Sequence, residues 1–592
     1  MAAPRCFGNT APVMEPLHEL ARDAAGGLVR RPALWLLALA TAACAPLLAG
    51  GVQWGHDLRS HLLWSHHFER QLAAGELYPR WLVDVGDGFG GPVFFFYPPL
   101  TYYLIAALAP LLPDALELPW RLAVVGWLAV LASGLAFHRW LRRHVPGNAA
   151  FLGAALYMLF PYHLLFDFHL RVALAELVAF VFPPLLLLAV DEAEAHPPRA
   201  LALGSGAWAL LLLTHAPTAL TAAPLPLVWS ALRAARTRSA APPALAAAQL
   251  AFGAGLAAAY LATALTHGPY IDESRLFGGR YHYASWFVSL RPESAWLALV
   301  YANGVVLTAA CLAASGLAAS TRRRVAKPRA AAALVHLSAA GALVYLLLML
   351  PASAPLWEHL PLLHKVQFPW RLNAQIGLLA SLCAAALAAH LAAALPRRRP
   401  ALARGGAALV ALLLAAHLAA ASRTRELFDA RHVPLTKQGL AALLRPGPLP
   451  REYFRVPRER DPRALLPGGA RVAFAAGSGD ARVEEWRPRR LVLSVRASEP
   501  ARLALRQQFY PGWRARLEGA PGDARLDALR REYGILALDL PPGSHRITLT
   551  LAWTPRERLG WIASAASLPL LAGATGGLAV RRRRAIRAAL SR

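Results

Sequence analysis

Cysteine is almost missing from this chain, with four residues in 592. Cys6 lies near the N-terminus, and Cys44, Cys311 and Cys383 sit inside apolar runs, so neither a disulfide framework nor a zinc-ligand spacing exists. Acidic residues are scarce as well: 34 Asp and Glu stand against 62 Lys and Arg, a formal net charge of +28. Such a balance raises nucleic acid as a partner. The arginines argue against it, because they fall in short clusters between apolar runs, where membrane topology uses them. Thr41-Ala42-Ala43-Cys44 lacks the leucine expected upstream of a lipoprotein cleavage site, and cleavage there would detach the first apolar run. The N-terminus therefore reads as an uncleaved signal anchor.

Apolar length is what the chain has in excess: 56% of its residues are hydrophobic. Runs near twenty residues recur, and each is long enough to cross about 30 Å of hydrocarbon as a helix. Arg30-Arg31 precede the first span, 32–52, which puts residues 1–31 in the cytoplasm and Asp57 outside. The stretch 98–113 opens on two prolines and is rich in tyrosine. It reads as an interfacial helix, since counting it as a span inverts every later basic cluster. The first outer loop then runs over 53–119. Spans follow at 120–140, 149–166 and 174–190, then a tight pair turning at 214–218, then 243–265. The next ends at Arg322-Arg323-Arg324, followed by 330–350, one ending at Arg397-Arg398-Arg399, 404–421 and 559–580. The expectation is a mainly α polytopic bundle of twelve spans with both termini in the cytoplasm.

Between residues 423 and 556 the hydrophobic period changes. Leu491-Val492-Leu493-Ser494-Val495, 501–505, 535–540 and 545–551 are short, partly alternating runs, and Pro511-Gly512, Pro521-Gly522 and Pro542-Gly543 punctuate them as turns. This predicts a small antiparallel β-sandwich outside the membrane, tethered by the bundle (32–422) before it and the last span and basic tail (557–592) after it.

The first outer loop is where chemistry concentrates. An acidic residue at the mouth of an apolar bundle is costly, so Asp57 demands a reason. Around it the sequence places His56, Arg59, His61, His66, His67, Glu69 and Arg70, then Tyr78 and Arg80, then the aromatic run Phe94-Phe95-Phe96-Tyr97. In the same topology Asp167, Arg171 and Glu176 emerge on the outer side after the third span, His215 in the turn of the tight pair, and Lys365 and Arg371 before the tenth span.

Several strings carry a resemblance. They are His56-Asp57, Leu77-Tyr78-Pro79-Arg80-Trp81, Phe96-Tyr97-Pro98-Pro99-Leu100, Arg171 with Ala175-Glu176, Leu213-Thr214-His215-Ala216-Pro217-Thr218-Ala219 and Gln367-Phe368-Pro369-Trp370-Arg371. Together they resemble bacterial membrane proteins called "6-pyruvoyl-tetrahydropterin synthase-related". A first span followed by an outer loop with an early Asp also resembles the GT-C glycosyltransferases. Phe509-Tyr510-Pro511-Gly512-Trp513 through Pro541-Pro542-Gly543-Ser544-His545 is similar to the C-terminal part of YfhO-like proteins.

The resemblance implies a bacterial inner-membrane enzyme with a periplasmic β-rich domain. Such an enzyme moves a sugar from a polyprenyl-phosphate donor to a glycan, lipid or protein acceptor at the bilayer surface. It implies Asp57, His56 and Glu176 as catalytic residues, with Asp57 and Glu176 also the candidates to hold a divalent Mg or Mn ion. Arg59, Tyr78, Arg80, Asp167, Arg171, His215, Lys365 and Arg371 are the candidates for substrate binding. Structural readings stand beside these. Asp57 also suits a helix cap, Glu176 a pair with Arg171, His215 a hydrogen bond in a tight turn, and Arg371 an interfacial anchor beside Trp370. Asp84 and Asp87 read as turn residues ahead of metal ligands, and Trp513 as core ahead of a carbohydrate platform. The competing class is a lipid or polysaccharide transporter, or an assembly scaffold. A transporter keeps polar groups at broken midplane helices, whereas spans 5, 7, 9 and 11 are almost wholly Ala, Leu and Val there.

Overall fold

The computed structural model describes residues 31–52, 54–111, 118–324, 329–427, 461–518, 523–524 and 533–591. Among them, nine helices are long and apolar enough to cross a membrane. These are Pro32–Gly50, Leu118–Leu141, Gly147–Leu170, Leu174–Glu192, Ala295–Thr321, Ala330–Leu348, Pro369–Ala394, Pro396–Ala421 and Pro555–Leu590. They fall on the expected spans 1 to 4 and 8 to 12.

The other three expected spans depart from simple helices. The fifth is a 16-residue helix, Pro197–Leu212, and the sixth restarts at a proline, as Ala216–Ala222 and Pro224–Thr237. The seventh, expected as one helix, is broken into Ala241–Leu256 and Ala258–Thr266 with a 78° bend. A break frees backbone groups that hydrocarbon cannot satisfy. Ser564 on the last helix satisfies them: its hydroxyl accepts from Ala259 N at 2.9 Å and donates to the carbonyl of Leu256 at 2.9 Å. The lower half packs tightly on its neighbour because Gly253 has no side chain; a Cβ there would lie 2.3 Å from the Trp208 Cβ.

The third span also changes character. Its helix Gly147–Leu159 passes into a π-helix, Tyr162–Leu170, before Arg171. Wide turns of this kind are rare and gather at functional sites. Two further helices, Leu58–Ala73 and Leu100–Ala107, occupy the first loop and are too short to span.

The polar region holds β1 (Val472–Ala476), β2 (Gly479–Arg487), β3 (Arg490–Ala497), β4 (Ala501–Gln508), β5 (Trp513–Leu517), β6 (Asp523–Ala524), β7 (Ile535–Leu540) and β8 (Gly543–Leu551). They form two antiparallel sheets, ordered β1-β4-β7 and β2-β3-β8-β5-β6. Leu491, Leu493 and Val495 of β3 and Ile547, Leu549 and Leu551 of β8 alternate inward, as a sheet with one buried face requires. The first loop completes this core. Trp81, Val83 and Phe95 are buried in the same cluster as Leu503, Leu538 and Trp513. Gly86, Asp87, Gly88 and Gly90 all take positive φ, and the turn they form meets β4, where Gln508 N donates to Phe89 O at 2.7 Å and Arg506 to Asp87 O at 2.8 Å. Pro521-Gly522 and most of the segment expected before β1 lie outside the described residues.

Candidate functional site

Arg171 is the hub. It follows the π-helix, with only 6% of its side chain exposed, and three carboxylates surround it. Its Nη1 donates to Asp167 Oδ1 at 2.5 Å and to Glu176 Oε2 at 3.2 Å, and Nη2 lies 3.9 Å from Asp57 Oδ2. Its guanidinium also sits 4.6 Å over the Trp370 ring. Burial works against this charge, but Asp167 and Glu176 outweigh it and hold the guanidinium more firmly protonated than a free one. Glu176 is the second node. It accepts from the Tyr162 hydroxyl at 2.8 Å and lies 3.5 Å from Arg371 Nε. Arg371 is fixed in turn by the carbonyl of Val366 at 2.8 Å and by the Phe368 ring, 4.8 Å below its guanidinium.

The backbone is forced to make this cluster. Val172, a β-branched residue, has φ 54°, and Gln367 has φ 71°. Left-handed conformations at such residues cost about 1–3 kcal/mol each and gather at sites where the surroundings impose them. Asp57 N donates to Arg171 O at 2.9 Å. Gly55 must be glycine for the two segments to meet, since a Cβ there would lie 2.3 Å from Val172 Cγ2.

Asp57 differs from the other two acids. Its side chain is 47% exposed, against 0% for Asp167 and 2% for Glu176. It occupies the cap position of Leu58–Ala73, yet its carboxylate makes no capping hydrogen bond. Beneath it His61 is buried, 2.9 Å from the Tyr102 hydroxyl, and burial pushes its imidazole down to about 4, so it is neutral at ordinary pH. Tyr97 packs edge-on to Trp64 at 5.0 Å; burial first, then the Asp57 charge, raises its phenol.

The remaining candidates lie elsewhere or are committed. His215 caps Ala216–Ala222, with Thr218 N donating to its Nδ1 at 3.3 Å. Lys365 reaches Glu273 at 3.4 Å in the second outer loop, and Arg59 and His56 are exposed beside Asp57. Tyr78 and Arg80 are away from the hub. Arg80 is buried, 3.3 Å from Glu557 on the last helix, and hydrogen-bonds Thr263 above the break in the seventh span. Arg489 of the β-domain shares Glu557 at 3.5 Å. Arg80 thus joins loop, broken span, last helix and β-domain. Tyr162 and Trp296 carry no motif of their own, and only the fold brings them to the site. Thr554-Pro555-Arg556-Glu557 is a legible capping box.

The acids do not form a metal nest. Among the described residues no group of three or more His, Cys, Asp or Glu side chains is placed to hold an ion. The centre of the carboxylate cluster is filled by Arg171, and Arg371 takes a flank of Glu176. A divalent cation there would face two guanidinium groups, so the donor set does not fit one.

Residues 94–428, more than half of the chain, match the family model described as "6-pyruvoyl-tetrahydropterin synthase related domain; membrane protein". The chain belongs to that family of membrane proteins. The match contains Arg171, Glu176, His215 and Arg371, and begins after Asp57. No curated protein matches the chain. Among solved structures, it is similar to the arabinofuranosyltransferase AftD from Mycobacteria, at 16% identity and a TM-score of 0.42, over 90% of this chain. The chain spans 42% of that protein's length. It is also similar to ArnT from Cupriavidus metallidurans bound to undecaprenyl phosphate, at 12% identity and a TM-score of 0.30, covering 61% of this chain and 78% of that one.

Proposed function

We propose that this family member is a glycosyltransferase of the bacterial inner membrane, with both termini in the cytoplasm and the Asp57 cluster and β-domain on the periplasmic side. It takes a sugar from a polyprenyl-phosphate donor and passes it to an acceptor hydroxyl. One observation carries the reading. Asp57 presents a half-exposed carboxylate, free of its helix cap, over a buried and fully paired arginine.

In the reaction the acceptor oxygen attacks the anomeric carbon while the bond from that carbon to the phosphate oxygen breaks. Polyprenyl phosphate leaves with the electron pair, and the acceptor proton passes to Asp57. A positioned base of this kind contributes roughly 10²–10⁴-fold. Asp167, Glu176 and Tyr162 do not touch substrate; they lock Arg171, which orients Asp57. Arg371, at the rim of the same cluster, supplies cationic stabilisation to the leaving phosphate. No step is routed through a metal.

The competing transporter reading gains one feature, the 78° break in the seventh span. Ala259 N, the carbonyl of Leu256 and the Thr263 hydroxyl at that break are taken by Ser564 and Arg80, so these groups are not vacant for a cargo. The test is transfer from a panel of radiolabelled polyprenyl-phosphate sugars in membranes carrying each variant. Asp57→Asn should express normally and lose at least about a hundredfold in rate. Equal transfer by wild type and Asp57→Asn overturns the assignment.

A further inference from the structure

One hydroxyl beside Asp57 is left over. Tyr97 is half-buried, and among the described residues its hydroxyl makes no hydrogen bond. The oxygen is not sealed from water either. The neighbouring phenols are committed: Tyr102 lies 2.9 Å from His61 Nδ1, and Tyr162 donates to Glu176 at 2.8 Å.

The chain fixes where this hydroxyl stands. Tyr97 precedes Pro98-Pro99, and a residue before proline is confined to extended backbone; its φ is −92° and its ψ 131°. Just beyond, Leu100 N donates to Leu213 O at 2.9 Å and ties this turn to the end of the fifth span. Across from it, Asp57, His61 and Trp64 recur at helical spacing, so they share one face of Leu58–Ala73, the helix headed by Asp57. The Tyr97 ring lies against that face, 6.4 Å from His61 and 5.0 Å from Trp64. The charges acting on its phenol are Asp57, Arg371, Glu176 and Arg171.

A tyrosine of an interfacial belt puts its tip in headgroup water. A phenol under the influence of two carboxylates and two guanidinium groups is differently placed. In the transfer step the acceptor oxygen meets Asp57 and the leaving phosphate meets Arg371, so the sugar being moved lies between those two groups. Tyr97 feels both. Burial and the Asp57 charge raise its phenol, so it stays a neutral O–H that can donate and accept at once. A sugar hydroxyl offers the same two roles in return. An isoprenoid chain offers neither, and an ionised phosphate only accepts.

We propose that Tyr97 is a specificity-determining residue whose hydroxyl bonds one hydroxyl of the transferring sugar. The donors this site takes therefore carry a free hydroxyl at that position. The inference rests on the transferase reading of Asp57 and adds a substrate contact to it.

The test uses the polyprenyl-phosphate sugar that wild-type membranes accept, together with its mono-deoxygenated analogues. Tyr97→Phe removes only an oxygen that bonds nothing in the protein, so its thermal midpoint should equal or exceed that of wild type. Its transfer from the full donor should fall about five- to tenfold, the range for one lost neutral hydrogen bond. One deoxy donor should be transferred equally slowly by wild type and Tyr97→Phe, because the contact is already missing. Every other deoxy donor should lose the same factor to the substitution. Asp57→Asn should instead slow all donors alike, which separates the base from the sugar contact. The proposal is overturned if Tyr97→Phe transfers the full donor as wild type does, if its midpoint drops well below wild type, or if no deoxy donor cancels the effect. Wild-type membranes that transfer no sugar at all would remove the transferase reading and this inference together.

Discussion

Glu176 has two cationic neighbours and one phenol, and no water-facing surface to spread its charge. Arg171 and Arg371 both depend on it, at 3.2 and 3.5 Å. Removing one partner from a buried ion network leaves the others unpaired, which costs about 3–5 kcal/mol. Glu176→Gln keeps the shape and the Tyr162 contact but deletes the charge. It should lower the thermal midpoint of the detergent-solubilised protein by a clear margin, whereas Asp57→Asn, at a half-exposed position, should leave it nearly unchanged. Equal midpoints for wild type and Glu176→Gln would show that the network contributes little. The pairing of Arg171 with Glu176 was legible from their spacing. Tyr162 was not, because nothing around a tyrosine in an apolar run says that a carboxylate fourteen residues later will turn back to meet it.

At the scale of elements, the break in the seventh span and the β-domain depend on partners far away in sequence. Spans 1 to 4 and 8 to 12 follow from apolar length and basic punctuation alone. The seventh looks continuous until Ser564, some three hundred residues later, supplies its backbone partners. Arg80 stood out in sequence as a charge beside aromatics, and its partner Glu557 is 477 residues away. The β-domain likewise read as self-contained, yet Trp81 of the first loop is fully buried in its core, edge-on to Tyr510 at 5.5 Å and Trp513 at 6.2 Å. Truncating a buried Trp to Ala costs about 3–5 kcal/mol. Trp81→Ala in the full chain should therefore expose β-domain sites to limited proteolysis while the spans stay protected. Unchanged cleavage would mean the domain folds without the loop.

At the scale of the whole molecule, the arginine clusters and the Asp57 cluster must lie at opposite ends of the bundle. Trp296, at the start of Ala295–Thr321, contacts His56, while Arg322 and Arg323 follow the far end of the same helix. The 27 residues between these ends span about 40 Å at 1.5 Å per residue, more than the hydrocarbon thickness. Positive charge beside short connections is retained in the cytoplasm, so the orientation proposed above puts Arg323 and Arg398 inside and Arg59 and Gly278 outside. Cys44, Cys311 and Cys383 are buried and so are poor targets for a soluble reagent; Cys6 is replaced by serine for the assay. In intact spheroplasts Arg59→Cys and Gly278→Cys should react with a membrane-impermeant maleimide, and Arg323→Cys and Arg398→Cys should react only after permeabilisation. The reverse pattern would move the Asp57 cluster to the cytoplasmic face, where a periplasmic acceptor never reaches it, and would take the proposed reaction with it.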